Sequence, residues 1–346
     1  MVVFFLLFFF ISSCGNVFVE KDLLERPQAK RCSDCHSDIF KEWEKSRHAM
    51  AWKSEKFRLE SENYTKNKCL SCHAPHQVDS GIKPALRVEF KEDGVSCVAC
   101  HFKEETKAMH GPHKVWSPPH PSRQDLNYAK AFFCAGCHQD TYKEWHLTKV
   151  QKSCQDCHMP SLGEKRIVQK FPFEYFHTKK PRHDHSFPTG KAKPGDIIVE
   201  LERSSSLRLK VVNVGIPHNL PTADQGDPKL YIIIDALLPT GESSRVVRVL
   251  SYQAKNALVY KEPTYIDLPW TEVDHVVVKI ERKLSWKHGT KYDHLRHYKE
   301  HHGRHAKPFF VAFGEELVDP PGYADHEKDK AYTPKDKGKH RLLPHH

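Results

Sequence analysis

The sequence predicts an α+β chain of two unlike parts, a mostly helical, loop-rich domain over residues 30–190 followed by an antiparallel β-sandwich over 191–285. Three observations predict it. The pattern Cys-x-x-Cys-His occurs five times between Cys32 and His158, and the chain around it is rich in Pro and His with few long apolar runs. After Pro194 the apolar residues change to a period of two with β-branched side chains. A length of 346 residues agrees with about two domains.

The five copies are Cys32/Cys35/His36, Cys69/Cys72/His73, Cys97/Cys100/His101, Cys134/Cys137/His138 and Cys154/Cys157/His158. Two thiols and an imidazole at this spacing read as a c-type haem attachment site, because one tight turn presents both sulfurs to the haem vinyl groups while the His reaches the iron. A single Cys-x-x-Cys would be ambiguous, being also half of a structural zinc site or a redox pair. Zinc sites combine such pairs in twos and would leave a fifth over, and neither chemistry needs a His after each second Cys. The motifs therefore predict five covalently bound haem c groups, with His36, His73, His101, His138 and His158 as proximal iron ligands. They use ten of the eleven cysteines, so no disulfide framework is left. Five haems within residues 32–158 leave too little chain for an ordinary side-chain core. The domain is expected to be haem-packed and the apo-chain largely unfolded.

The eleventh cysteine, Cys14, follows an apolar run from Val2 to Ile11. That run is shorter than the roughly 20 residues a spanning helix needs, and it fits the h-region of an export signal. Ile11-Ser12-Ser13-Cys14 resembles the bacterial lipobox, which implies lipidation of Cys14, a signal peptide over 1–13 and a linker over 14–29. No Lys or Arg precedes the run, so the usual basic n-region is missing, and a plain secretory signal with an unmodified Cys14 is the alternative. Both versions predict export to the periplasm, and Gly15 after the cysteine favours an outer-membrane lipoprotein over inner-membrane retention. The formal charge of +10 would ordinarily point to an acidic partner or nucleic acid. No nucleic-acid signature accompanies it. Lys30, Arg31, Lys68, Lys103 and Lys152 stand beside the motifs, where haem propionates would be their partners.

Ile39, Phe40 and Trp43 predict a helix from about Asp38 to Trp52. If it is continuous, His48 lies about 18 Å along the axis from His36, too far to close the haem that His36 holds, and is a candidate distal ligand for a neighbouring haem. Residues 134–145, CAGCHQDTYKEW, repeat residues 32–43, CSDCHSDIFKEW. The second copy has His146 at the position of Glu44 and Val150 at that of His48, so a distal ligand does not carry over between copies.

The segments CSDCH, Trp43-x-x-Ser46-x-His48-Ala49, GVSCVACH, MHGPH and CQDCHMP resemble the multihaem cytochromes related to cytochrome c-554 and hydroxylamine oxidoreductase, over about residues 30–190. The resemblance implies closely stacked haem pairs, mostly bis-histidine ligation, and electron transfer or multi-electron reduction. The distal candidates are His48, His110, His113, His146, His185 and His218, from a pool that also holds His76, His120, His177 and His183. His110 and His113 lie in the Gly/Pro-stiffened MHGPH loop. His185 lies in HDHSFPTG, which resembles the His-x-Phe segments that cap a last haem. His76 is too close to His73 to fold over the same haem and reads as structural. Met50, Met109 and Met159 make His/Met ligation a minority alternative, one that would raise the potential.

The strands are expected at Ile197–Leu201, Leu207–Val211, Leu230–Leu238, Val246–Leu250 and Val273–Ile280, with turns such as Pro239-Thr240-Gly241 between them. Asn213 to Thr222, NVGIPHNLPT, resembles a segment of β-domains appended to multihaem cytochromes, which makes His218 a candidate at a haem. Residues 286–318 form a His-rich helical or strand extension, in which His294, His297, His301 and His305 at helical spacing read as a metal face or as a solvated basic docking face. Residues 319–346 read as a tail. The function expected is electron transfer through stacked bis-His haems, with redox partner proteins such as a quinol-linked donor or other cytochromes and with the membrane met through the lipid anchor. One alternative is a reductase or dehydrogenase of a small nitrogen or sulfur compound at one open haem. Another is self-assembly, a His of one chain ligating a haem of the next. Every motif ends in His, and none has the Lys that resembles the catalytic haem of pentahaem nitrite reductases, which argues for a carrier over an enzyme.

Overall fold

Helices in the cysteine-rich part are only four to seven residues long, and Ser46, Ser54 and Ser153 cap three of them. They are α1 (Ala29–Cys32), α2 (Ser37–Trp43), α3 (Arg47–Met50), α4 (Glu55–Glu60), α5 (Asn67–His73) and α6 (Cys97–His101), followed after an interval by α7 (Gln139–Leu147, nine residues) and α8 (Cys154–His158). The helix expected over Asp38–Trp52 is two helices. Ser46 accepts the Ala49 backbone N–H at 3.1 Å and begins α3, and this cap replaces continuation through residues 44–46.

The computed structural model describes residues 19–189, 193–203, 205–224 and 228–283, with the backbone of two short strands at 298–302 and 340–342. The expected signal over 1–13, Cys14, and most of the 286–318 extension and the 319–346 tail lie outside the described residues. The chain divides into two units, one of Met1–Gln139 with Gln151–Gly190, the other of Asp140–Val150 with Lys191–His346. Most of α7 therefore belongs to the β-rich unit, and the fourth motif just before it to the other.

Small sheets in the first unit carry functional backbone. Strands β1 (Phe102–Lys103), β2 (Ala108–Gly111) and β3 (Ser122–Gln124) form one, with β1 antiparallel and β3 parallel to β2. Strands β4 (Ser161–Lys165) and β5 (Lys180–His183) form an antiparallel pair. The apolar cluster of this unit is Ala29, Trp43 and Ala49 with Phe40 and Cys97 packed against it.

The second unit has two sheets over one core. Strands β6 (Ile197–Arg203), β7 (Leu207–Asn213) and β10 (Pro263–Asp267) form an antiparallel sheet in the order β10-β7-β6. Strands β8 (Lys229–Leu237), β9 (Ser243–Ser251) and β11 (His275–Lys283) form the other, extended by β12 (Tyr298–His302) and β13 (His340–Leu342) in the order β12-β11-β8-β9-β13. Pairing sets Ile234 opposite both Val246 and Val278, so alternate residues of three strands project to one face. That face meets Ile197, Val199, Leu207, Leu209, Val211 and Ile266 of the first sheet in a single buried cluster. His301 lies on strand β12, and His294, His297 and His305 lie outside the described residues.

Ile232 is fully buried between β9 and β11. Ile232→Ala is expected to lower the stability of this unit by about 2–5 kcal/mol, and the exposed Leu237→Ala on the same strand by under about 1 kcal/mol. Urea titration followed by far-ultraviolet circular dichroism checks the difference.

Candidate haem centres

The motif residues occupy single turns. The second, third and fifth motifs lie within α5, α6 and α8, the first bridges α1 and α2, and the fourth sits on a 3₁₀ turn (Ala131–Gly136) that leads into α7. One turn of helical backbone puts residues i, i+3 and i+4 on the same face, so each pair of thiols and its imidazole share a side.

The motif imidazoles are oriented from behind. Nδ1 of His36 donates to the Ile167 carbonyl at 2.6 Å, His73 to Ala51 at 2.7 Å, His101 to His110 at 2.7 Å and His158 to Pro188 at 3.0 Å. A proton fixed on Nδ1 leaves Nε2 with its lone pair, as a metal requires. Burial also keeps three of these rings neutral: it pushes His101 down to about 4, and it lowers His36 and His73.

Three motif imidazoles face a second imidazole at nearly one distance. Ring centroids are 6.4 Å apart for His36 and His120, 6.3 Å for His138 and His48, and 6.4 Å for His101 and His185. Two metal–imidazole bonds of about 2 Å and two ring radii of about 1.1 Å add to about 6.2 Å, so each pair could hold one metal between its two rings. Burial pushes His48 down to about 3 and His120 down to about 4, and it lowers His185. His48 is pinned by its carbonyl, which accepts the Val95 N–H at 2.9 Å. A Cβ on Gly94 (φ +59°) would lie 2.3 Å from that oxygen, so glycine is required there. Phe187 sits edge-on to His48 at 4.2 Å and to His185 at 6.2 Å.

Other candidates are placed differently. The ring of His110 is engaged by Thr106 Oγ1 at 2.8 Å, with Asp125 3.8 Å from its other nitrogen, and it is the His110 carbonyl that serves His101. His113 donates Nε2 to the Pro181 carbonyl at 2.7 Å. In the second unit His146 stacks on Tyr142 at 5.8 Å, and His218 donates Nδ1 to the Asn219 carbonyl at 2.9 Å. His76 lies 3.6 Å from Glu104. His73 stacks on Phe57 at 3.6 Å, and among the described residues no second imidazole faces it. Two of the basic residues beside the motifs have protein carboxylate partners. Arg31 is held by Glu20, by Asp22 at 2.7 Å and by Asp34 at 2.6 Å, and buried Lys103 is held by Asp79 at 2.7 Å.

Residues that spacing did not single out complete the centres. His120 was one of many histidines in the pool, and its ring faces that of His36 with centroids 6.4 Å apart. Arg87 is buried and donates to the Glu89, Phe90 and Gly94 carbonyls and to Ser96 Oγ, which shapes the loop entering the third motif. The buried Nε of Arg182 has no hydrogen-bond partner among the described residues, a donor suited to an anionic substituent.

Thiols of different motifs also meet. Cys97 lies within hydrogen-bonding reach of Cys32, Cys137 of Cys72 and Cys134 of Cys154, and the contact with Cys137 brings the Cys72 thiol down to about 6. The donor set, the Nδ1 anchors and the spacing of the ring pairs all fit haem c.

Residues 31–102 match the family described as cytochrome c554 and c-prime. The fold is similar to the crystal structure of a penta-heme cytochrome c552 from Thermochromatium tepidum, with a TM-score of 0.52 and 18% identity over 76% of this chain and 93% of that chain. A comparison with curated proteins returned no match. With five Cys-x-x-Cys-His motifs in one chain, the family match and the shared fold support a multihaem c-type cytochrome with covalently bound haem c.

Proposed function

We propose that the chain is a pentahaem electron carrier, attached to haem through Cys32, Cys35, Cys69, Cys72, Cys97, Cys100, Cys134, Cys137, Cys154 and Cys157, exported to the periplasm and held at the outer membrane by lipid on Cys14. The observation that carries the reading is the set of three facing imidazole pairs at 6.3–6.4 Å, each joining a motif histidine to a histidine from a distant segment. Bound haem c supplies reversible one-electron transfer at its iron. The chain's own part is to keep His36, His48, His101, His120 and His185 neutral by burial, hold Nε2 of His36, His101 and His185 forward through their Nδ1 anchors, and bring attachment cysteines of different motifs close together. Cys32 with Cys97, Cys72 with Cys137 and Cys134 with Cys154 link the first motif to the third, the second to the fourth and the fourth to the fifth. Such contiguity suits passage of single electrons between redox partner proteins, a quinol-linked donor or other cytochromes among them.

Low-temperature EPR of the oxidised holoprotein tests the ligand set. His48→Ala and His120→Ala should each convert one low-spin haem to high-spin, and an unchanged spectrum in either variant would remove that histidine from the ligand set. Localisation is tested at Cys14. Palmitate labelling should mark the wild type, and Cys14→Ser should move the protein from the membrane to the soluble periplasmic fraction.

A second reading rests on His73, which stacks on Phe57 and faces no second imidazole among the described residues. It supports the alternative of a reductase or dehydrogenase acting on a small nitrogen or sulfur compound at one open haem. Carbon monoxide added to the reduced holoprotein should then shift the Soret absorbance of one haem and no more. Absence of any shift excludes the open site and leaves the carrier.

A further inference from the structure

We infer that Glu42, together with the Arg182 bound to it, is a positioning residue for the imidazole of His185. The inference rests on the reading of His185 as the ligand opposite His101. Glu42 lies on α2, the helix leaving the first motif, and one of its carboxylate oxygens accepts the backbone N–H of His185 at 3.2 Å. Its other oxygen takes the guanidinium of buried Arg182, which also reaches Asp38 at 3.6 Å. His185 is thus gripped twice: its backbone by Glu42, and its Nδ1 by the His183 carbonyl at 2.8 Å. Nε2 is left as the nitrogen that can point at His101, 6.4 Å away between ring centroids. An anionic acceptor that is itself fixed by a buried guanidinium makes a short-tethered, directional grip on the loop. The first motif's helix therefore sets the far ligand of the third motif.

The internal repeat supplies a second, independent observation. Glu144 stands in CAGCHQDTYKEW where Glu42 stands in CSDCHSDIFKEW. Within the other unit its carboxylate accepts the Asn219 backbone N–H at 3.2 Å and the Thr222 hydroxyl at 2.6 Å, in the loop that carries His218. Both copies thus use the same glutamate, on the same helix, to hold a backbone N–H at or next to a histidine. A solvated surface charge would not recur with that partner type.

The experiment compares the full-length holoprotein with Glu42→Ala, Glu42→Gln and His185→Ala by low-temperature EPR and Soret spectroscopy, with and without added imidazole. His185→Ala should yield one haem equivalent of high-spin signal. Glu42→Ala should yield a fraction of that signal, abolished by imidazole, and Glu42→Gln less again, because its amide oxygen still accepts the His185 N–H. A wholly low-spin Glu42→Ala beside a high-spin His185→Ala overturns the positioning role and leaves the ligand reading standing. A low-spin His185→Ala overturns the ligand reading itself. Should Glu42→Ala fail to mature, Arg182→Lys, which keeps the charge but loosens the grip on Glu42, must show the same imidazole-reversible signal in smaller amount, and its absence overturns the proposal.

Discussion

An imidazole can offer a lone pair to a metal only when its one proton is settled on the other nitrogen, and in the cysteine-rich unit a backbone carbonyl does that settling. The acceptors for His36, His73, His101 and His158 are carbonyls of Ile167, Ala51, His110 and Pro188, each from a segment outside the motif it serves. Much of the local structure exists to deliver those oxygens. Strand β2 brings the His110 carbonyl to His101, and the chain beyond β4 runs past the first motif, where Ile167 serves His36 and the Gln169 N–H meets the Cys35 carbonyl at 2.8 Å. Loops that look irregular are thus constrained by one repeated hydrogen bond.

The two units draw their stability from different sources. In the β-rich unit alternate residues of six strands meet in one cluster, and burying each Leu, Ile or Val contributes about 1.5–3 kcal/mol. In the other unit the clustered apolar residues are few, Ala29, Trp43 and Ala49, and polar ties carry the loops: Arg87 on three carbonyls, Lys103 on Asp79, Trp43 Nε1 on the Val95 carbonyl at 2.8 Å. Such ties are each worth about 0.5–1.5 kcal/mol, too little alone to order so many short helices. A unit of this kind is expected to fold with its prosthetic groups as one process.

Strands were legible because period two is a local signal: five segments read from alternation match β6, β7, β8, β9 and β11. Strand β10 was missed, since Pro263-Thr264-Tyr265-Ile266-Asp267 is short and begins with Pro, and it becomes a strand by pairing along β7. The split between α2 and α3 was written in Ser46, a residue that prefers capping to helix interior. Motif histidines were legible from spacing, and His48 and His185 as candidates for a facing partner, whereas which motif histidine each one faces was not. His110 and His120 both sit in Pro-rich loops, and only tertiary register gives His120 the place opposite His36 while His110 turns to Thr106. Repeat comparison located Glu42 and Glu144 on equivalent turns, but neither partner could be read locally, because His185 and Asn219 are far along the chain.

The facing pairs cross one another, and that has an energetic consequence. His36 meets His120, His48 meets His138 and His101 meets His185, so each contact closes a loop of more than 80 residues. Closing one such loop in an unfolded chain costs about 4.6 kcal/mol of entropy. Once the first is closed, the route from His48 to His138 runs only through the stretch back to His36 and the stretch on from His120, about a third of the original length. The logarithmic law then lowers the second closure by about 1 kcal/mol, roughly a fivefold gain in its equilibrium. Crossed pairs therefore favour one another even without touching, and a chain built this way tends to have its centres formed together or not at all.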